Sequence, residues 1–173
     1  MSLPAPAPLI LTLALDAESQ AYFDELRRQH FPPKINYLAA HVTLFHHLPG
    51  EDEARLKTEL ADACRALGAL PMQVASLRSL CRGVAFNLEN AELRALHRRL
   101  QTAWAPRLTP QDQQRLQPRI TVQNKVDPAA ARQLLAGLQA DFQPFAATGT
   151  GLKLWAYRGG PGSCGPNSPS RAE

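Results

Sequence analysis

His41-Val42-Thr43-Leu44-Phe45 and Arg119-Ile120-Thr121-Val122-Gln123 are the two stretches whose reading decides the fold. Each is short and alternates in character from one residue to the next, the period of a half-buried strand. Side chains two apart on a strand share a face, so residues 41 and 43 point one way, and so do 119 and 121. Each stretch therefore aims a nitrogen-bearing side chain and a hydroxyl in one direction. The arrangement expected from this is two strands side by side, forming the floor of a phosphate-binding groove.

Around the first stretch, the apolar run over 9–15 reads as a strand. Asp16 caps a helix over 17–30, with Ala21, Tyr22, Phe23 and Leu26 as its inner face, and Pro32-Pro33 stops it. The motif strand runs over 41–47. A helix over 51–67 follows the Pro49-Gly50 turn and closes on Gly68, and 71–80 is a strand. Around the second stretch the same order returns. Residues 84–88 form a strand, and 91–103 a helix with Leu93, Leu96, His97, Leu100 and Trp104 inward. The connection over 106–118 carries a short helix at 111–116, and the motif strand runs over 120–125. Asp127-Pro128 starts a helix that runs to 140, and 148–157 is the last strand.

The order strand, helix, motif strand, helix, strand thus fits 9–80 and again 83–157, with the leading positions 78 residues apart. Only element order repeats, not sequence, yet it makes Arg119 the counterpart of His41. The expected fold class is α+β and bilobal. It has two pseudo-repeated lobes, about 9–80 and 83–157, each an antiparallel sheet with helices outside, and a central groove between them. Strands are free to exchange between the lobes. Residues 1–158 form a single domain, and the Gly-, Pro- and Ser-rich 159–173 form a flexible tail.

A chain of 173 residues suits one such domain, and 45% hydrophobic with 20% charged residues is an ordinary globular composition. No apolar run is long enough for a membrane-spanning helix. No Lys or Arg precedes the run at 9–15, so it reads as a strand rather than a secretory leader. The net charge is +4, and 15 of the 19 basic residues are arginine. That excess is compatible with a phosphate-bearing partner, but no basic run is dense, so any polyanion contact has to be gathered by folding. Cys64, Cys81 and Cys164 are odd in number and widely spaced, without a Cys-x-x-Cys pair. That argues against a disulfide framework and a zinc site, and for a reducing compartment. Cys64 and Cys81 are expected to pack, and Cys164 to be an exposed thiol in the tail. Among the histidines, His97 reads as a hydrogen-bonded core residue. His47 shares the face of His41 but lies ~20 Å further along at ~3.3 Å per residue, and His46 points to the opposite face.

His41-Val42-Thr43-Leu44 resembles the first His-x-Thr motif of the 2H phosphoesterase superfamily, the group that includes the 2′-5′ RNA ligase-like proteins and RNA cyclic phosphodiesterases. Pro118-Arg-Ile-Thr-Val-Gln-Asn-Lys125 resembles the second motif and its flank, except at Arg119. Phe31-Pro32-Pro33, Leu38-Ala-Ala-His41, Leu44-Phe45-His46, Thr109-Pro110-Gln111-Asp112, and Leu154-Trp155 through Gly160-Pro161 are similar to its bacterial branch. The resemblance covers about 9–162. It implies a bilobal α+β fold whose motifs line the groove, and acid–base chemistry on a 2′,3′-cyclic or 2′-5′ phosphodiester without a metal or other cofactor. One imidazole activates the attacking water or hydroxyl, the other protonates the leaving oxygen, and two hydroxyls hold the non-bridging oxygens. Carried onto this chain, His41 is the catalytic base or acid, and Thr43 and Thr121 are catalytic phosphate clamps. The implied partner is a nucleotide or RNA terminus bearing a phosphodiester, with no membrane, and the protein is expected to be a cytoplasmic monomer. The chemistry suits the residues, since imidazole titrates near neutral pH and hydroxyl donors stabilise charge building on phosphorus-bound oxygen.

Arg119 departs from that pattern. Guanidinium stays protonated at any working pH, so it neither takes up a proton nor readily gives one, though it binds phosphate with two parallel hydrogen bonds. It is also expected to disfavour the protonated form of His41 across the groove. Two functions stay open beside a plain scaffold whose groove contacts another protein. One is a phosphodiesterase slowed ~10²–10⁴-fold by loss of one proton-transfer partner. The other is an inactive nucleotide- or RNA-binding pseudoenzyme that holds phosphate with Arg119, Thr43 and Thr121.

Overall fold

Three polar side chains set where helices begin. Asp16, Asn90 and Asp127 each accept a hydrogen bond from a backbone N–H of the first turn, those of Ser19, Leu93 and Ala129. Such caps satisfy donors that the helix itself leaves open, at ~1 kcal/mol apiece. They start α1 (Ala17–His30), α3 (Ala91–Trp104) and α4 (Pro128–Ala140). The remaining helix, α2 (Glu53–Leu67), is entered through a 3₁₀ turn at Gly50–Asp52 and ends on Gly68 at φ 66°, where glycine carries no Cβ penalty. The computed structural model describes residues 2–157 and the backbone of 170–171.

The strands are β1 (Leu9–Leu15), β2 (Val42–Leu48), β3 (Leu70–Ser79), β4 (Val84–Glu89), β5 (Arg119–Gln123), β6 (Phe145–Ala156) and the two-residue β7 (Ser170–Arg171). All pair antiparallel in one sheet of order β2-β1-β6-β3-β4-β5, with β7 beside β6. The fold class is α+β, with each half of the chain contributing three strands and two helices to a continuous sheet. Exchanging β1 with β4, β2 with β5 and β3 with β6 turns that order into its own reverse. The repeat of element order is therefore also a twofold repeat of pairing. The third strands cross over: β3 lies against β4 and β6 lies against β1.

β2 and β5 are not neighbours, as the side-by-side expectation had them. They are the two ends of the strand order, with four strands between them, yet they touch. The sheet is curled so that its outer strands meet across one face, in keeping with the twist of β-structure. Both are edge strands and must find partners for open backbone groups. Each finds one on a helix of the other half. Arg27 of α1 donates to the Thr121 carbonyl at 2.8 Å, and His97 of α3 bonds the Leu44 carbonyl through Nε2 at 3.0 Å.

Arg27 explains why the inner face of α1 differs from expectation. The buried residues are Ser19, Phe23 and Arg27, spaced four apart, while Ala21 and Tyr22 face outward. Phe23 meets Phe86 of β4 edge-on at 5.3 Å and stacks on Phe145 of β6 at 6.0 Å. Arg27 lies over the Phe31 ring at 4.0 Å and also reaches Asn36. The inner face of α3 is as expected: Leu93, Leu96, His97, Leu100 and Trp104 are all buried.

Gly83 turns the β3–β4 hairpin, where a Cβ would meet the Gln123 carbonyl oxygen at 2.0 Å. Only glycine lets that turn close onto the end of β5. Cys81 sits in the same turn at φ 68° and is exposed, not packed at a strand end; Cys64 is buried on α2 as expected. The short helix expected over 111–116 is a hydrogen-bonded turn instead, with Gln113 N–H donating to the Thr109 carbonyl. Its residues are drawn into contacts described below. In the stretch expected to be a flexible tail, Ser170–Arg171 pairs with Gly151 and Leu152. Cys164 and the rest of 158–173 lie outside the described residues. Among the described residues, no helix is long and apolar enough to cross a membrane.

Candidate active site

The curled sheet encloses a cavity of about 470 Å³ between β2 and β5. His41, Thr43, Arg119 and Thr121 all line it. Their positions match under the twofold pairing. Thr43 lies opposite Thr12 of β1, and Thr121 lies opposite Ala85 of β4. Immediately after each threonine the register slips by one residue: Leu44 is extra in β2 and Val122 is extra in β5. Each motif strand thus carries a β-bulge at the same place, and His41 and Arg119 each stand two residues before their threonine.

A bulge re-aims every side chain beyond it. Val42 and Phe45 both face the core at 0% exposure, three residues apart rather than two or four. His46, next along from Phe45, is therefore turned onto the cavity face and lines the cavity. The expectation that His46 points away is wrong, and the extra residue at Leu44 is the reason. His47 is exposed and does not line the cavity.

His46 meets Asp112, another lining residue, which comes from the connection between α3 and β5. Asp112 is 2% exposed. Its Oδ1 accepts the His46 backbone N–H at 2.8 Å and lies 3.2 Å from His46 Nδ1, while its Oδ2 accepts the His47 N–H at 2.8 Å. Both N–H groups point the same way because a second register slip lies between Phe45 and Leu48. Burial works against the Asp112 charge, but the His46 ring and the two N–H donors outweigh it and hold the carboxyl below the usual 3.8. Asp112 was missed because nothing about a lone Asp in a polar connection marks it as buried. The only signal was the likeness of Thr109–Asp112 to the family's flank.

His41 is half-buried, and its Nδ1 lies 2.7 Å from the Ala39 carbonyl. A carbonyl can only accept, so Nδ1 carries the proton and Nε2 keeps a lone pair. Burial pushes the imidazole below its ordinary 6.5; Arg27 and His46 push the same way, and the Ala39 carbonyl and Asp24 oppose them. The cation acting on His41 is thus Arg27, not Arg119 as expected. The imidazole is neutral at pH 7 and able to take a proton.

Burial and the Arg78 guanidinium hold Arg119 below the ordinary guanidinium value, and it remains a cation. Arg78, Arg115 and Arg119 line the cavity, against the single carboxylate of Asp112. None of the three was legible as a cluster, since they come from β3, a loop and β5. A pocket with this balance favours an anion. His97, 3% exposed, is a core residue as expected, stacked on Phe45 at 4.5 Å. Its Nδ1 has no partner among the described residues. Trp155 donates to Thr12 at 2.9 Å and does not line the cavity.

The neutral imidazoles of half-buried His41 and buried His97 give a stability prediction. Burial leads the downward shift of His41 and of His97, so the unfolded chain binds more protons than the folded one as pH falls through 6.5. Stability is complete above that pH and falls on acidification. Thermal unfolding at pH 5.5 is expected to have a lower midpoint than at pH 7.5, with His97→Gln narrowing the gap.

Residues 15–161 match the 2'-5' RNA ligase superfamily. The chain belongs to that superfamily. Among solved structures, this superfamily member is similar to Escherichia coli LigT complexed with 3'-AMP (TM-score 0.59, 19% identity, 95% of each chain covered). It is also similar to E. coli LigT complexed with NADP+ (0.57, 20%, covering 97% of this chain and 96% of that one) and to TT0787 of Thermus thermophilus (0.58, 15%, 94% of each). At such identities the likeness is one of fold. No curated protein matches the sequence. For a 2'-5' RNA ligase superfamily chain, the resemblance drawn from the two motif stretches is the correct family assignment, and those stretches fall at the two bulged strands.

Proposed function

We propose that the protein is a 2′-5′ RNA ligase-like phosphoesterase acting on 2′,3′-cyclic or 2′-5′ phosphodiesters of RNA ends or nucleotides. The observation that carries this reading is the meeting of His41, Thr43, Arg119 and Thr121 in one cationic cavity. Its volume suits a nucleotide-sized ligand, and LigT, which shares the fold, is seen complexed with 3'-AMP. His41 Nε2 takes a proton from the attacking water, whose oxygen bonds to phosphorus. Thr43 and Thr121 hydroxyls donate to the non-bridging oxygens as charge grows there. Arg119 clamps the phosphate with paired N–H groups. The reading calls on side-chain acid–base chemistry alone, in a cytoplasmic monomer.

The test is turnover of 2′,3′-cyclic AMP and of a 2′-5′-linked dinucleotide by the purified protein. Ring opening to a single monophosphate is expected. Absence of turnover on both would overturn the enzyme reading. Arg119 itself favours a second reading, the pseudoenzyme that binds such ligands without turnover. That one predicts nucleotide binding that weakens with salt and no product at any enzyme concentration.

Under either reading, Arg119→Ala is expected to weaken nucleotide binding roughly tenfold to a hundredfold, the worth of a charged hydrogen bond at ~1.5–3 kcal/mol. The salt dependence should become shallower with one phosphate contact gone. Titration calorimetry across a salt series measures both.

A further inference from the structure

We propose that His46, seated by Asp112, is the acid that protonates the leaving oxygen, so that the second proton carrier comes from β2 itself and not from the motif position occupied by Arg119. The inference rests on the phosphoesterase reading above, which leaves that proton without a donor.

Three observations carry it. First, the bulge at Leu44 turns His46 onto the cavity that His41, Thr43 and Thr121 line, and its side chain is 44% exposed there. Second, the nearly fully buried Asp112 engages Nδ1 and leaves Nε2 as the ring nitrogen free for a ligand. A carboxylate behind an imidazole fixes its orientation and offsets the positive charge of its protonated form. Third, the two imidazoles have unlike surroundings. His41 faces the Ala39 carbonyl with the Arg27 cation nearby, whereas His46 faces a carboxylate. One site acquires both a base and an acid by giving like groups different partners.

The other candidates fail on chemistry. Arg119, Arg78 and Arg115 do not release protons at working pH. His97 commits Nε2 to the Leu44 carbonyl and is stacked against Phe45. In the step itself, a water proton passes to His41 Nε2 and the water oxygen bonds to phosphorus. The bond from phosphorus to one ribose oxygen breaks, and that oxygen takes the proton from His46 Nε2. Asp112 stays ionised throughout. The site ends with His41 protonated and His46 neutral, and exchange with solvent resets both. The charged and titratable groups facing the pair are Asp112 and Arg115 from the connection, Arg78 from β3, Arg119 from β5, His97 from α3, and Arg27 and Asp24 from α1.

The experiment compares two substrates. Opening a 2′,3′-cyclic phosphate expels an alkoxide and needs an acid, whereas bis(p-nitrophenyl) phosphate expels a phenolate that leaves unaided. His46→Gln is expected to lose about 10²–10⁴-fold on 2′,3′-cyclic AMP and only a few-fold on the nitrophenyl ester. Arg119→His in the His46→Gln background should restore part of the cyclic-phosphate activity by placing an imidazole across the groove. Asp112→Asn should reproduce that difference between the two substrates in weaker form, which a merely structural role would not do. Unmodified protein alone suffices if the variants fold poorly: its rate should fall only weakly as the leaving oxygen of a phosphodiester series becomes more basic, because an acid-assisted departure is insensitive to that basicity. Equal loss on both substrates in His46→Gln, or no loss on either, overturns the role of His46 while leaving the phosphoesterase reading intact. No turnover of either substrate by the unmodified protein removes that reading, and this inference with it.

Discussion

His41→Ala is expected to lower kcat/KM on a 2′,3′-cyclic nucleotide by about 10²–10⁴-fold, or roughly 3–5 kcal/mol of transition-state stabilisation. The imidazole is placed in the cavity with a lone pair held ready, because Ala39 takes its other nitrogen. Its environment keeps it neutral at pH 7, so the unmodified protein should show an acid limb centred below 6.5, and His41→Ala should erase that limb. The ring is half-buried beside open cavity, so the variant should unfold within about 1 kcal/mol of the parent. Steady-state kinetics over a pH series from acid to neutral, with a parallel melting curve, measures both. A variant that keeps its full rate would remove His41 from the chemistry.

Thr43→Val and Thr121→Val should each cost about 10²–10³-fold in kcat with little change in KM. Valine reproduces the branched shape and suits a strand, so the substitution deletes a donor and little else. The hydroxyls are asked to hold oxygens whose charge grows only as the bond to water forms, which is why the loss falls on kcat. An effect confined to KM would recast them as ground-state contacts. The Thr121 backbone is already fixed by Arg27, so the strand should stay in place when the hydroxyl is gone.

Much of this was legible because periodicity is a local property. The strands and helices follow from apolar spacing, and their starts follow from Asp16 and Asp127. The twofold order follows from reading those elements in sequence. What could not be read was the slip of one residue at Leu44. A bulge arises from the pairing partner, here β1, and leaves no mark on the strand that bears it. Strict alternation therefore sent His46 to the wrong face. Asp112 was hidden for a related reason. Its burial is decided by two N–H groups 65 and 66 residues away, which exist as a pair only once β2 has slipped. That β2 and β5 meet as the two ends of one curled sheet, rather than as neighbouring strands, was likewise beyond reach of pattern alone, since contact between the ends of a sheet is a matter of curvature.

The exchange of third strands governs how a ligand gets in. β6 and β3 are zipped together from Leu70–Gly149 to Val74–Phe145, and each belongs to the half of the sequence opposite the one it supports. Swinging the halves apart on a hinge would tear that ladder, so the cleft does not open by that motion. A ligand of the cleft meets a slot whose two walls are joined by that ladder.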